Sequence, residues 1–371
     1  MTRSGPSRST SGFTTSATSA PTTSPAHRSA SPSPASKPGA AAGSDEHPMA
    51  GQVIGSAGRT ELGRRGNQSE RVDRDGRGWL PLPATGPPST RAAASTPAAA
   101  VLASSRALVC GILNVTPDSF YDGGRYTDYA AAVEHGRRIA AEGADLIDVG
   151  GESTRPGARP PTVEDELARV VPVIESLSRS VAVPLSVDTS RPEVMREAAR
   201  AGATMINDVR ALRLPGALAA AAELDLPVCL MHMLGEPDRM QHHPVYNDVV
   251  VDVQQFLAER LRACERVGMD RGQLVVDPGF GFGKTLDHNL RLLRELHELV
   301  ELGVRIMVGL SRKGMIGAVT GRPVDGRSTG SVAAAMIAAQ RGASVFRVHD
   351  VAATRDVLAV LAAVEHHEEP P

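Results

Sequence analysis

Residues 145–157 read DLIDVGGESTRPG. A short apolar run ends in glycine and gives way at once to Glu152, Ser153, Thr154 and Arg155. This is the pattern of a strand buried on both faces that delivers polar groups at its C-terminal end. Seven other segments share it: ALVCGIL (107–113), PLSVD (184–188), TMIND (204–208), PVCLMH (227–232), QLVVD (273–277), RIMVGL (305–310) and SVFRVH (344–349). Amphipathic stretches such as DYAAAVEHGRRIAAEG (128–143) and TVEDELARVVPVIESLSRS (162–180) lie between them. Near-continuous apolar strands alternating with helices predict a parallel sheet covered on both faces. Asn114 and His349 are 235 positions apart over seven units, about 34 residues each, against roughly 31 in an eightfold barrel. The expected fold is α/β, an eightfold (β/α) TIM barrel over residues 106–366. Spacing alone does not prove closure, so a doubly wound open sheet is the alternative.

Upstream the texture differs. Residues 1–105 are rich in Ser, Thr, Pro, Ala and Gly, and Trp79, the only tryptophan, lies among them. Such a segment cannot bury enough apolar surface to offset its ordering entropy, so a disordered tail is expected. It carries eleven Lys and Arg against six Asp and Glu, thinly spread, while the whole chain has a formal net charge of -2. That balance argues against a nucleic-acid surface. Arg64-Arg65 is not followed by an apolar stretch, and no run approaches about eighteen apolar residues, so neither an export signal nor a membrane span is expected. Three widely spaced cysteines, Cys110, Cys229 and Cys264, fit a reducing, cytoplasmic setting without disulfides or a structural zinc.

The strand ends carry the chemistry. They present Asn114, Asp148 with Glu152, Asp188, Asn207 with Asp208, His232, Asp277, Ser311, and Arg347 with His349. In a barrel these ends share one mouth, where active sites lie. Capping of the following helices suits Thr189, Ser190 and Asp208, but not so many Asn, Asp and His at once. The chain has only three lysines, Lys37, Lys284 and Lys313. Two follow strands in Gly- or Ser-containing loops, and an ammonium is not interchangeable with a guanidinium at a ligand. Lys313 reads as functional, and Lys284 equally as functional or structural. Arg347 and His349, at i and i+2, form a diphosphate clamp in this reading. Asn114 and Asp122 offer hard oxygen ligands suited to Mg2+. DPGFGFGKT (277–285) fails as a nucleotide phosphate loop, because the first required glycine falls on Pro278.

GILNVTPDSF, GESTRPGA, VDTSRPEV, INDV, LMHM, DPGFGFGK, GLSRKGMIG and FRVHD, in this order over residues 106–364, resemble the dihydropteroate synthase family. The resemblance implies a transferase of folate biosynthesis that joins 6-hydroxymethyl-7,8-dihydropterin diphosphate to 4-aminobenzoate, releasing diphosphate with Mg2+ assisting. It places Asp188, Asn207, Asp277 and Lys313 at the pterin. Asn114, Arg155, Arg347 and His349 fall at the diphosphate, and Asn114 and Asp122 at the metal. Thr154, Pro156, Phe280 and Ser311 line the 4-aminobenzoate pocket, and Phe120 shields the site. Arg155, Lys313, Arg347 and His349 are the catalytic set. Met231 and Met233 pack either near the pterin or in the core. The family further implies a homodimer, small-molecule substrates only, and inhibition by sulfonamides. Leu234, Gly314 and Tyr121 depart from the usual pattern. A related methyltransferase would need no diphosphate clamp, and a non-catalytic paralogue would not be expected to keep Arg155 and Lys313.

Overall fold

The computed structural model describes residues 96–116, 125–152, 160–235, 240 and 244–365. Eight strands follow in chain order: β1 Leu108–Asn114, β2 Leu146–Gly150, β3 Leu185–Asp188, β4 Ala203–Asp208, β5 Val228–Met231, β6 Leu274–Asp277, β7 Arg305–Val308 and β8 Val345–Val348. Every pairing is parallel and the sheet closes in the order β1 to β8. Cys110 is the register partner of Leu146 on one side and of Arg347 on the other. The open-sheet alternative is thereby excluded. Each expected strand lies within two residues of its observed bounds.

Ten α-helices occur among the described residues: α1 Pro97–Leu102, α2 Arg125–Ala141, α3 Val163–Ser180, α4 Pro192–Ala201, α5 Ala217–Leu224, α6 Val249–Arg266, α7 Leu286–Arg294, α8 Gly314–Thr320, α9 Ser328–Ala339 and α10 Val351–Glu365. Their starts are written locally. Thr162 and Asp165 form a reciprocal capping box on α3, and Thr285 does the same with His288 on α7. Pro192 opens α4, and Gly202 ends it in the left-handed conformation.

Side chains alternate along each strand, which splits the core in two. Val109, Leu113, Ile147, Val149, Val187 and Ile206 face outward into the helix layer. Leu108, Cys110, Leu146, Met205, Cys229, Val275, Met307 and Val345 fill the barrel interior. Ala98 and Leu102 of α1 belong to that interior cluster, at 0% and 4% exposure. This corrects the boundary drawn at residue 105. Thr96 caps α1 by accepting from the Ala99 N–H at 3.2 Å, and the Leu102 carbonyl accepts from Arg305 Nε at 2.6 Å. The folded region therefore begins by Thr96, and α1 seals the floor of the barrel. The rest of the expected tail, residues 1–95 with Trp79, lies outside the described residues. No helix among the described residues is long and apolar enough to cross a membrane. All three cysteines are free thiols and buried.

Candidate active site

Two residues beyond the apolar floor, the inward positions turn polar. Asp148 on β2, Asp188 on β3, Asn207 on β4, Asp277 on β6 and Arg347 on β8 meet at the C-terminal mouth. Asp148 Oδ2 accepts from Arg347 Nε at 2.6 Å and from Asn207 Nδ2 at 2.9 Å. Arg347 Nη2 donates to Asp188 Oδ2 at 2.7 Å. Burial opposes the charge on Arg347, but the carboxylates of Asp148 and Asp188 outweigh it and raise its pKa. Asp188 is pushed up to about 7, first by desolvation and then by neighbouring carboxylates, against the pull of Arg347.

Asp277 is buried, and its Oδ1 accepts from the Gly279 N–H at 2.7 Å. Burial raises its pKa, and Lys313 opposes that rise. Lys313 Nζ and Asp277 Oδ2 both border Gly309, 3.7 Å and 3.9 Å from where its Cβ would stand, so the two groups face the same space. Lys313 Nζ also donates to the Phe280 carbonyl and sits 4.6 Å from the centroid of the Phe282 ring. Desolvation lowers the Lys313 pKa to about 8, with Asp277 pulling the other way.

Two loops carrying these groups are pinned together. Arg312 has φ 57, an unusual conformation for a non-glycine residue. Its guanidinium grips Asp350 through Nε at 3.2 Å and Nη2 at 2.6 Å. The flanking Ser311 accepts from the His349 N–H at 3.2 Å, with His349 Nδ1 3.0 Å from its Oγ. Desolvation, with Arg312 and Arg347 nearby, pushes His349 down to about 4, so it is neutral at pH 7. Asn114 ends β1, half-buried and in register with Gly150.

Several expectations change on this geometry. His232 does not join the mouth. The inward positions of that region belong to Met231 and Met233, which cluster with Val209 and Met240. The imidazole instead meets the ring of Phe256 on α6 edge-on at 4.9 Å and lies 2.9 Å from Lys284 Nζ. Burial drives its pKa to about 2. Lys284 resolves as structural: its Nζ donates to the carbonyls of Gly279 at 2.9 Å and Phe282 at 3.2 Å, knotting the Gly-rich loop. That loop requires its glycine, because a Cβ on Gly279, where φ is 68, would fall 1.9 Å from the His232 carbonyl oxygen.

Phe280 is corrected too. Its ring is 0% exposed within the main core, and it brings the site only its carbonyl. Phe282 is the aromatic beside Lys313. Thr189 and Ser190 do not cap α4, whose N-cap is Arg191 without a side-chain bond. Thr189 Oγ1 donates to the fully buried Glu166 at 2.5 Å, Ser190 donates to Asp208, and Glu166 pairs with Arg191 at 3.1 Å. Asp122, Thr154, Arg155 and Pro156, like Phe120, lie outside the described residues.

A closed barrel with a buried acidic and amide ring, two cations and a neutral imidazole at its mouth defines a site for a flat, hydrogen-bonding heterocycle bearing anionic groups. Residues 110–349 match the family described as pterin binding enzymes. The dihydropteroate synthase of Escherichia coli K12 is 51% identical over 255 residues, covering 69% of this chain and 90% of that protein. The Xanthomonas albilineans dihydropteroate synthase, solved with 4-aminobenzoic acid, is 58% identical at a TM-score of 0.68, covering 71% of this chain and 94% of that one. A second structure of that enzyme, in complex with 7,8-dihydropteroate, is 55% identical at a TM-score of 0.66, with 71% and 95% covered. This chain belongs to the dihydropteroate synthase family.

Proposed function

We propose that this protein condenses 6-hydroxymethyl-7,8-dihydropterin diphosphate with 4-aminobenzoate, giving 7,8-dihydropteroate and diphosphate. The observation that carries this reading is the ring of Asp148, Asp188, Asn207, Asp277 and Arg347, drawn from five strands onto one inward layer. The amine nitrogen of 4-aminobenzoate forms a bond to the exocyclic methylene carbon. The carbon–oxygen bond to diphosphate breaks, and the amine proton passes to solvent. An aromatic amine is a nucleophile at pH 7, so positioning and leaving-group stabilisation are the main demands on the protein.

In this reading Asp188, Asn207 and Asp277 match the donors and acceptors along the pterin edge, with Lys313 beside the ring. Arg347, His349 and Arg155 hold the diphosphate. Thr154, Pro156 and Ser311 receive 4-aminobenzoate, and Phe282 takes the aromatic place expected of Phe280. Mg2+ would be held by Asn114 and Asp122 and would neutralise charge on the departing diphosphate. Asn114, a carboxamide at the mouth, fits such an ion. Mg2+ takes few protein oxygens and completes its shell from water and phosphate, and no group of three or more His, Cys, Asp or Glu placed to hold a metal occurs among the described residues. Exposed Met336 on α9 and Val360 and Val364 on α10 support a homodimer through these helices, and three free thiols support a cytoplasmic setting.

The test is diphosphate release by the purified chain. Release should require both substrates together and should fall on Mg2+ chelation; a sulfonamide should compete with 4-aminobenzoate. Release with either substrate alone, or none with both, would overturn the reading.

A further inference from the structure

Asp148 is assigned no contact with substrate in the reading above, yet it joins two residues that are, Asn207 and Arg347. Its Oδ2 receives Asn207 Nδ2 and Arg347 Nε together. A carboxylate so placed only accepts, so the Asn207 atom facing it must be the NH2 group. The Asn207 carbonyl oxygen is then turned away from Asp148 as a fixed acceptor. The guanidinium plane of Arg347 is likewise set by two carboxylates, Asp148 at Nε and Asp188 at Nη2.

Asp148 is poorly explained as a stabiliser of the barrel. It is 1% exposed, and its Oδ1 has no protein hydrogen-bond partner. The same holds for the hydroxyl of Ser186, its register partner on β3. A buried acceptor without a partner weakens a fold. Two such atoms, on register-paired residues of β2 and β3, point to a residue kept for what it orients.

We propose that Asp148 is the positioning residue for pterin recognition: it fixes the Asn207 amide so that Oδ1 reads an N–H of the heterocycle, and it sets the Arg347 plane beside it. This rests on the pterin reading above. Asp148→Asn preserves the shape but lets the amide at 207 turn over; Asp148→Ala removes the hub altogether. With Asp148→Asn the KM for pterin diphosphate should rise about tenfold or more, as expected for a hydrogen bond to a charged group. The KM for 4-aminobenzoate should stay within about twofold. Asp148→Ala should lose more in the same direction and also lower the thermal midpoint, because it leaves Arg347 Nε and Asn207 Nδ2 unpaired, whereas the midpoint of Asp148→Asn should hold.

A pH profile separates orientation from mere support. Asp188 is faced by Arg347 from β8, Asp148 and Glu152 from β2 and its following loop, Asp208 from β4, and Lys313 from the loop after β7. Removing the negative charge at 148 should therefore move the acid limb of binding of 6-hydroxymethylpterin, the oxidised probe, to lower pH. Equal losses for both substrates with a lowered thermal midpoint in Asp148→Asn, or an unchanged pterin KM and acid limb in that variant, would overturn the proposal. Failure of the unsubstituted protein to bind the probe would instead overturn the pterin reading, and the proposal with it.

Discussion

The two ends of this barrel's interior are built on the same strands and differ by two residues. Leu146 is followed by Asp148, Met205 by Asn207, Val275 by Asp277 and Val345 by Arg347. The floor members and three of the four acidic and amide members of the mouth, Asp148, Asn207 and Asp277, are all buried, so exposure does not distinguish them. Charge does. The floor is held by dispersion and by the α1 plug, with Arg305 tying α1 down through the Leu102 carbonyl at its edge. The mouth holds carboxylates whose pKa values burial has raised, and two buried oxygens without protein partners. Floor and helix layer supply the stability that lets the mouth remain strained and polar.

The sharpest way to break this contrast is to exchange the characters of the two layers. Met205→Asp would place a lone carboxylate among Leu146, Val275, Met307 and Val345. An unpaired buried charge costs several kcal/mol, a large part of the roughly 5–15 kcal/mol that holds a domain together. We expect little folded, soluble protein, judged by cooperative unfolding in circular dichroism. Asp277→Asn should do the reverse. Burial already disfavours its charge, so the thermal midpoint should hold or rise, while kcat/KM for pterin diphosphate falls about tenfold to a hundredfold. Equal losses of midpoint in both variants would show that the mouth is as structural as the floor.

A smaller effect tests the plug. Leu102→Ala should cost about 2–3 kcal/mol in urea unfolding, as for other buried leucines. Deletion of residues 1–105, which removes α1 whole, should cost at least as much. Deletion of 1–95 leaves Thr96 to cap α1 and should be close to neutral. Coincident unfolding curves for the two truncations would remove α1 from the floor.

What the sequence allowed to be read follows from the same geometry. Strands buried on both faces are continuous apolar runs, so eight of them and their polar ends were legible, and with them Asp188, Asn207 and Asp277. Orientation was harder. His232 was read with the mouth because parity around a strand end is invisible once the strand stops, and Met231 and Met233 hold the inward positions instead. That Phe280 is buried while Phe282 stands beside Lys313 was not legible, because Gly279, Gly281 and Gly283 all adopt positive φ, which destroys any period-two reading of that loop. PAAAVL (97–102) is indistinguishable by composition from the low-complexity stretch before it. Glu166, on a helix that reads as amphipathic, gave no sign that it was a buried partner of Thr189 and Arg191.

The subtlest difference between the layers appears with pH. Lys313 titrates near 8, lowered chiefly by desolvation and partly restored by Asp277. In the unfolded chain the same ammonium titrates near its ordinary value of about 10.4. Between those values the unfolded state holds the extra proton, so this residue adds stability as pH rises from about 8 to about 10. Activity should run the other way, because the site loses its ammonium over the same range. We therefore expect kcat/KM for pterin diphosphate, which reports the free enzyme, to decline above about pH 8. The Lys313 contribution to the thermal midpoint should climb over that interval. Lys313→Arg, which keeps its charge throughout, should lower the activity and flatten both limbs together. An activity limb that persists in Lys313→Arg would assign it to another group and leave Lys313 as support for the Phe280 carbonyl alone.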